Sequence, residues 1–289
     1  MTYFIDFSKN IAKRGKIGVL IYLILNTLIV ISVFSDGFKS LSGIIYGLGA
    51  YILSLIIALS PVGEFILRVQ TGCTRIKRKE YIERLEPLFN EVLAKAKKVN
   101  LSIPGDVKLF MNGDSEPNAF ATGRKTICLT KGFLNYSDEQ IKATFAHELG
   151  HLAHKDTDLI LMVTIGNFIV TAIFIFYRIL VMVIGFFIAI VSKNFAPLLI
   201  NLFIDIILVA LMWIWTKIGT ILVMHSSRQN EYQADEFAYK CGYGDSLASV
   251  LDTLQGSGTR GLWANLASTH PSSDDRIARL QNLGINYRN

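Results

Sequence analysis

The sequence predicts an α+β membrane protein that is mostly α-helical, with about four transmembrane helices and a soluble domain split by a transmembrane hairpin. Three observations favour this class. Hydrophobic residues make up 51% of the 289 residues and are concentrated in long blocks almost free of charge. Between and after these blocks, apolar residues recur at helical spacing. Two short segments, 118–122 and 126–130, flank a glycine-containing turn and predict a β-hairpin.

Four apolar blocks predict the spans, because a helix of about 20 apolar residues crosses the hydrocarbon core of a bilayer. The blocks are residues 17–34, 41–63, 159–191 and 198–224. The third block exceeds one span, and residues 179–191 are too few to cross alone. They either continue the third span as a tilted helix or form an interfacial piece. Within the third block, Arg178 either snorkels to the interface or pairs with Asp205 in the fourth block.

The distribution of basic residues predicts the orientation. They are concentrated before the first block and after the second, at Lys9, Lys13, Arg14, Lys16, Arg68, Arg75, Lys77, Arg78 and Lys79. The positive-inside rule therefore places both termini and the central segment on the cytoplasmic side of the membrane. We expect a multi-pass protein of the plasma or inner membrane. We attribute the net charge of +6 to this topology and to contact with the lipid bilayer, and expect no nucleic-acid partner. The sequence has no GxxxxGK[ST] loop, so no nucleotide partner is expected.

The segment His147-Glu148-Leu149-Gly150-His151 predicts half of a zinc site. Two histidines four residues apart share one face of a helix and can bind one Zn²⁺. Glu148 lies beside that face, where its carboxylate can take a proton from a water activated by zinc. A helix is favoured here because Ser137 fits the N-cap and Gln140 the capping-box position. The alternative is a surface helix with scattered polar residues.

A catalytic zinc usually has a third protein ligand and one open position. His154 lies near the ligand face, but a polar residue at the end of the helix is the favoured interpretation. A second helix, from about 227 to 240, carries Glu231 and Asp235 four residues apart. Glu231 can ligate zinc, while Asp235 can accept the second N–H of a ligating histidine. A solvated acidic helix face is the alternative, and on residue types alone it remains open.

The order of the blocks tests this pairing. His151 and Glu231 can share one ion only if the chain between them crosses the membrane an even number of times. The third and fourth blocks supply two crossings. Both candidate helices therefore emerge on the same side of the bilayer.

The central segment predicts a small sheet. Residues 107–111 have the composition of a strand, and the 118–130 hairpin follows them. A strand beside a protease cleft can bind an extended peptide through its main chain. A plain structural sheet explains the same pattern.

The assembled residues resemble the HtpX family of membrane zinc metalloproteases, which is related to the CAAX prenyl protease type 1 enzymes. The resemblance covers nearly the whole chain and rests on six elements. In chain order these are the two leading spans, the Asn118-Ala119-Phe120-Ala121-Thr122-Gly123 stretch, His147–His151 with Asp156, the later hairpin, Glu231–Asp235, and His270-Pro271 followed by Arg276-Ile277. The sequence departs from the family at Gln233, where a histidine is common.

The resemblance implies a residue role at each position. His147, His151 and Glu231 would bind one Zn²⁺ per chain, with Glu148 as catalytic base. Asp235 would support the ligands, and Arg276 is a candidate to orient Asp235 or Glu231 through a charged hydrogen bond. Main-chain groups of Asn118, Ala119, Phe120, Ala121 and Thr122 would bind substrate. The sequence assigns no role to His270.

The resemblance also implies the organisation and the activity. A region with two spans (1–68) would precede a zincin-like metalloprotease domain of helices and a small sheet (69–157 and 225–289), interrupted by a transmembrane hairpin (158–224). The expected activity is ATP-independent hydrolysis of misfolded or damaged membrane proteins, with membrane-protein or peptide substrates as partners. One alternative is a CAAX-type prenyl-protein processing protease. The other is a non-catalytic membrane scaffold with a structural zinc.

Overall fold

The computed structural model describes residues 17–35, 37–225, 228–255 and 271–287. In chain order the elements are α1 (Ile17–Phe34), α2 (Leu41–Ala58), α3 (Pro61–Gln70), α4 (Lys79–Val99), β1 (Lys108–Asn112), β2 (Ala119–Thr122), β3 (Thr126–Thr130), α5 (Asp138–Ala153), α6 (Asp156–Ile160), α7 (Gly166–Ser192), α8 (Ala196–His225), α9 (Arg228–Lys240), α10 (Gly244–Gln255) and α11 (Ser273–Asn282). Contacts divide the described chain into a sheet unit (64–159 and 224–287) and an apolar unit (17–63 and 160–223).

The apolar unit contains the predicted spans. Three helical stretches in the described residues are long and apolar enough to cross a membrane: Leu41–Ala58, Asp156–Ser192 and Ala196–Leu222. The first predicted span, residues 17–34, corresponds to a shorter apolar helix, Leu20–Phe34. Residues 179–191 continue the third span, because α7 runs unbroken to Ser192. The exposed positions of α7 and α8 are largely Ile, Leu, Val and Phe, as expected for surfaces in contact with lipid.

Polar side chains inside the apolar unit form hydrogen bonds and an ion pair with one another. The Asn26 amide donates to Asn167, and the Asn167 amide donates to the Tyr22 hydroxyl, over 2.9 and 2.8 Å. Trp215 Nε1–H donates to Asn26 over 2.9 Å, and the Trp215 ring stacks on Tyr22. Of the two alternatives for Arg178, the structure has the ion pair with Asp205, with 2.8 Å between Nε and Oδ1. Such pairing reduces the cost of polar atoms at membrane depth.

The sheet unit is built around a three-stranded sheet in the order β1-β3-β2. Strand β1 is parallel to β3, and β2 is antiparallel to β3, which confirms the predicted hairpin. The hairpin strand begins at Ala119, one residue later than predicted. Helices α4 and α5 pack together in one core with β3, α9, α10 and α11. Strand β2 is therefore an edge strand. Helix α5 contacts both β2 and α9.

Candidate metal centre

Helix α5 carries the two candidate histidines on one buried face. Ser137 caps its start, and the Gln140 side chain returns to the Ser137 backbone N–H, which completes the predicted capping box. The helix is buried without interruption from Ala143 to Gly150. His147 and His151 lie one turn apart, with 3.3 Å between their Nε2 atoms. The spacing of the motif therefore brings both imidazoles to a single point.

Helix α9 brings a carboxylate to the same point. Glu231 is only 2% exposed. Its carboxylate oxygens lie 3.5 Å from His147 Nε2 and 3.4 Å from His151 Nε2. Donor atoms of the three residues all lie within 4.8 Å of one another. Two imidazole nitrogens and one carboxylate oxygen converging in this way fit the donor set of a catalytic zinc site.

A second set of charged groups holds the outer nitrogens of both imidazoles. Asp235 Oδ1 lies 2.9 Å from His147 Nδ1, and Asp156 Oδ2 lies 3.2 Å from His151 Nδ1. Both aspartates are buried. A carboxylate on the far nitrogen fixes the ring orientation and directs Nε2 toward the metal position.

Arg276 on α11 ties this network together. Its Nε and Nη2 donate to the two oxygens of Asp235 over 2.8 and 2.6 Å. Its Nη1 lies 3.3 Å from Glu231 Oε2. The buried guanidinium thus offsets the negative charge of two carboxylates, in the fork geometry typical of arginine. The sequence predicts a contact with Asp235 or Glu231, and the structure contains both.

The electrostatics of the centre follow from these contacts. Burial alone would lower the pKa of His147, but Asp235 and Glu231 hold that pKa above its usual value. Burial acts on His151 in the same sense, and Asp156 and Glu231 raise its pKa well above the usual value. Burial alone would raise the pKa of Asp235, and Arg276 keeps it low. The cluster is therefore strongly attractive to positive charge, whether a proton or a metal ion.

Glu148 contacts the edge strand instead of the ligand cluster. Its Oε2 accepts a hydrogen bond from the Ala121 backbone N–H over 2.7 Å. That N–H points away from β3, because it pairs with α5 and not with the neighbouring strand. The candidate base and the free edge of β2 are thus directly adjacent. An extended peptide added to that edge would meet Glu148.

The other predicted substrate-strand residues divide by face. Ala119 and Ala121 pack against the main core, whereas Phe120 packs on the Cys73, Phe110 and Cys128 cluster. Thr122 is buried. Asn118 precedes the strand; its carbonyl oxygen accepts the Thr130 backbone N–H, and its own N–H donates to the Thr130 hydroxyl. The side chains of Ala119, Phe120 and Ala121 therefore pack against the domain, and the main chain at Ala121 is the group that contacts Glu148.

His154 is a third histidine at the end of the ligand helix and is not one of the three residues of the ligand cluster. His154 ends α5, and its Nδ1 lies 2.8 Å from the Gly150 carbonyl oxygen. His270 lies outside the described residues. The sequence places Asp156 beside the histidine motif but assigns it no role, so its contact with His151 was not predicted. An acid just past the end of a metal-binding helix was the available signal.

Comparisons with known proteins cover the helices that carry His147, His151, Glu231 and Arg276. Residues 83–284 match the family described as Peptidase family M48. Protease HtpX of Psychrobacter sp. (strain PRwf-1) is 28% identical over 265 residues, which are 82% of this chain and 81% of that protein. Protease HtpX homolog of Neisseria meningitidis serogroup B (strain ATCC BAA-335 / MC58) is 29% identical over 213 residues, 68% of this chain and 72% of that protein. Among solved structures, S. mikatae Ste24p aligns with a TM-score of 0.46 and 22% identity, over 90% of this chain and 63% of that one.

Proposed function

This chain belongs to peptidase family M48, and we propose that it is a zinc endopeptidase that cleaves misfolded or damaged membrane proteins without ATP. It is a metalloprotease with membrane-spanning helices. The observation that carries the proposal is the convergence of His147, His151 and Glu231, with Glu148 held against the edge of β2. These positions combine a metal site, a base and a strand able to pair with a peptide.

His147, His151 and Glu231 hold the zinc in this proposal. When bound, the ion supplies Lewis acidity that activates water and polarises the scissile carbonyl. An extended substrate pairs with β2 and takes the Ala121 N–H, which releases Glu148 from its resting contact. Glu148 then accepts the proton of the attacking water and passes it to the leaving amine.

The buried charges around the ligands keep this arrangement in place. Asp235 and Asp156 each hold the Nδ1 atom of one histidine, so that Nε2 faces the ion. Arg276 offsets the charge of Asp235 and Glu231, which would otherwise repel each other. Preorganised charges of this kind need no rearrangement during the reaction.

The substrate class and the orientation rest on the membrane segments and on the family resemblance. Along the chain, apolar helices precede and follow α5 and also precede α9. They would keep the peptidase at the bilayer, where membrane proteins are accessible. The basic residues after α2 favour a cytoplasmic sheet unit under the positive-inside rule. The curated relatives are named as HtpX proteases, which agrees with the resemblance in the sequence.

Purified protein in liposomes tests the proposal directly. We expect it to cleave a destabilised model membrane protein without ATP, to lose activity with a chelator and to regain it with zinc. Glu148→Gln should retain zinc and lose cleavage by several orders of magnitude, because it removes only the proton acceptor. Full activity of Glu148→Gln, or cleavage that survives complete removal of metal, would contradict the proposal.

A further inference from the structure

The carboxylate of Glu64 lies beneath the turn that joins β2 to β3. Glu64 is on α3 and is 7% exposed. Its Oε1 accepts the Lys125 backbone N–H over 3.2 Å and the Thr126 hydroxyl, and its Oε2 accepts the Arg124 backbone N–H over 3.4 Å. Successive turn donors therefore converge on one side chain that is remote in sequence.

Arg68 completes this anchor from the same helix. Its Nη1 lies 3.2 Å from Glu64 Oε1 and donates to the Thr126 hydroxyl over 3.1 Å. The Arg68 guanidinium also stacks over the Phe110 ring on β1. Its positive charge offsets the cost of burying the glutamate. The anchor thus joins α3 to two strands of the sheet.

The turn is shaped to fit Glu64. Gly123 has a φ of +69°, and a Cβ added to it would lie 2.4 Å from Glu64 Cγ. A residue with a side chain would be strained by the backbone conformation and would also collide with the glutamate. The turn therefore passes over this side chain at a distance that only glycine permits.

A short path links this anchor to the candidate base. Thr126 pairs with Thr122 across the hairpin, and Ile127 pairs with Ala121. Ala121 in turn holds Glu148 through its N–H. Displacement of the turn therefore displaces the edge of β2 and the contact with Glu148. The mechanism derived above uses no group of α3, so this link is an additional element of the site.

We propose that Glu64 is a positioning residue that fixes the substrate-binding edge of β2 through the β2–β3 turn, which rests on the proposed function of that edge. Its carboxylate accepts the backbone N–H groups of Arg124 and Lys125 in the turn. Loss of this positioning should weaken the binding of extended substrates only, because only a peptide long enough to pair along β2 uses the fixed edge. Metal binding does not depend on it, because Glu64 contacts none of the ligands in the described structure.

Kinetics with two peptides of the same scissile sequence test the proposal. One extends well past the scissile bond on both sides, and the other is too short to pair along β2. Glu64→Gln keeps the shape of the side chain but replaces one carboxylate oxygen with an NH2 group. That group cannot accept a hydrogen bond, so at least one of the donors in the turn loses its acceptor. We expect KM for the long peptide to rise roughly tenfold, as for the loss of one or two hydrogen bonds, with KM for the short peptide and the zinc content unchanged.

Two further variants make the test specific. Thr126→Val removes one donor to Glu64 and should change the long-peptide KM in the same direction by a smaller factor. Glu83→Gln alters an exposed glutamate on α4 that pairs only with Lys79 in the described structure, and should leave both KM values unchanged. Equal losses for the two peptides with Glu64→Gln, or no change for either, would overturn the proposal.

Amide hydrogen exchange of the zinc-free protein gives a readout that is independent of cleavage. Glu64→Gln should speed exchange at Arg124 and Lys125 by roughly tenfold, because their N–H groups lose a carboxylate acceptor. Exchange at Ala121 should rise in the same direction, because displacement of β2 weakens its hydrogen bond to Glu148. Unchanged exchange there would refute the role of Glu64. If the wild-type protein cleaves no peptide, the proposed function fails while this measurement still decides on Glu64.

Discussion

A Cβ atom on Gly150 would lie 2.9 Å from the Cα of Ala234, so α5 and α9 touch backbone to backbone beside the ligand cluster. Gly150 is adjacent to His151, and Ala234 lies one turn after Glu231. Small residues at a helix crossing permit this close approach. The glycine of the motif therefore sets the distance across which the histidines and the glutamate meet.

Substitution of Gly150 should weaken metal binding without changing a ligand. We expect Gly150→Ala to lower the free energy of unfolding by about 1–3 kcal/mol through overpacking, and Gly150→Val to lower it further. Zinc affinity should fall in the same order, as measured by competition with a chromophoric chelator. Gly49→Ala is the matched helical control, because an added Cβ there has no neighbour within 4 Å. It should retain zinc fully; if Gly150→Val also does, the helix spacing is not set at this crossing.

Asp156→Asn should reduce zinc affinity about 10- to 100-fold, because His151 loses the carboxylate that orients its ring. The apparent melting temperature of the metal-free protein should change much less. Chelator competition measures the first effect and thermal unfolding in detergent the second. Asp252→Asn alters an exposed aspartate that accepts the Tyr287 hydroxyl, and should leave zinc affinity intact. Undiminished affinity in Asp156→Asn would mean that another group orients His151.

The candidate site was predictable from the sequence where its signals are local. Helical spacing groups His147 with His151 and Glu231 with Asp235, and the capping box marks the start of α5. The hairpin and its turn follow from Gly123 between two strand-like segments. These features depend on residues a few positions apart, so periodicity and capping are enough to find them.

The contacts that sequence reasoning missed are those that tertiary packing creates. Glu64 reaches the β2–β3 turn across about sixty residues, and no local pattern marks that carboxylate. The contact of Glu148 with Ala121 depends on how α5 packs against the sheet. The end of the third span was ambiguous because a continuous apolar run has no helical period to delimit it, and the structure places it at Ser192.

The Arg178–Asp205 pair predicts a coupling energy inside the apolar unit. The side chains are 25% and 11% exposed, and their closest atoms lie 2.8 Å apart. Arg178→Met or Asp205→Asn leaves one charge without its counter-ion, so each should destabilise by several kcal/mol, about 3–5 for a fully buried pair. The double variant should be more stable than the sum of the single losses predicts. Unfolding in mixed micelles measures all four proteins.

A control from the same helix separates pairing from the general cost of charge. Lys217 on α8 is exposed and lies over the Trp213 ring. Lys217→Met should cost less than either single variant of the pair, because it leaves no buried acid behind. Additive losses in the Arg178 and Asp205 cycle would show that the two charges do not stabilise each other in the membrane.

Glu91 predicts an acid-dependent loss of stability in the sheet unit. Its carboxylate lies 2.8 Å from Lys142 Nζ and 3.1 Å from Lys95 Nζ, and it accepts the Tyr243 hydroxyl. Lys142 and then Lys95 lower the pKa of Glu91 to about 2 in the folded protein. A lowered folded-state pKa means that the contribution is complete above the unfolded value of 4.5 and disappears as pH falls toward 2.

The effect of Glu91→Gln should therefore be largest at neutral pH. Because the side chain is 43% exposed, solvent screening limits the loss at pH 7 to about 1 kcal/mol or less. Wild type and variant should converge between about pH 4.5 and 2, since the wild-type carboxylate then takes up its proton. Thermal unfolding of metal-free protein across this range measures the difference, and Glu86→Gln, an exposed change on the same helix, should show no such convergence. A constant difference between wild type and Glu91→Gln down to pH 2 would mean that packing, and not charge, makes Glu91 stabilising.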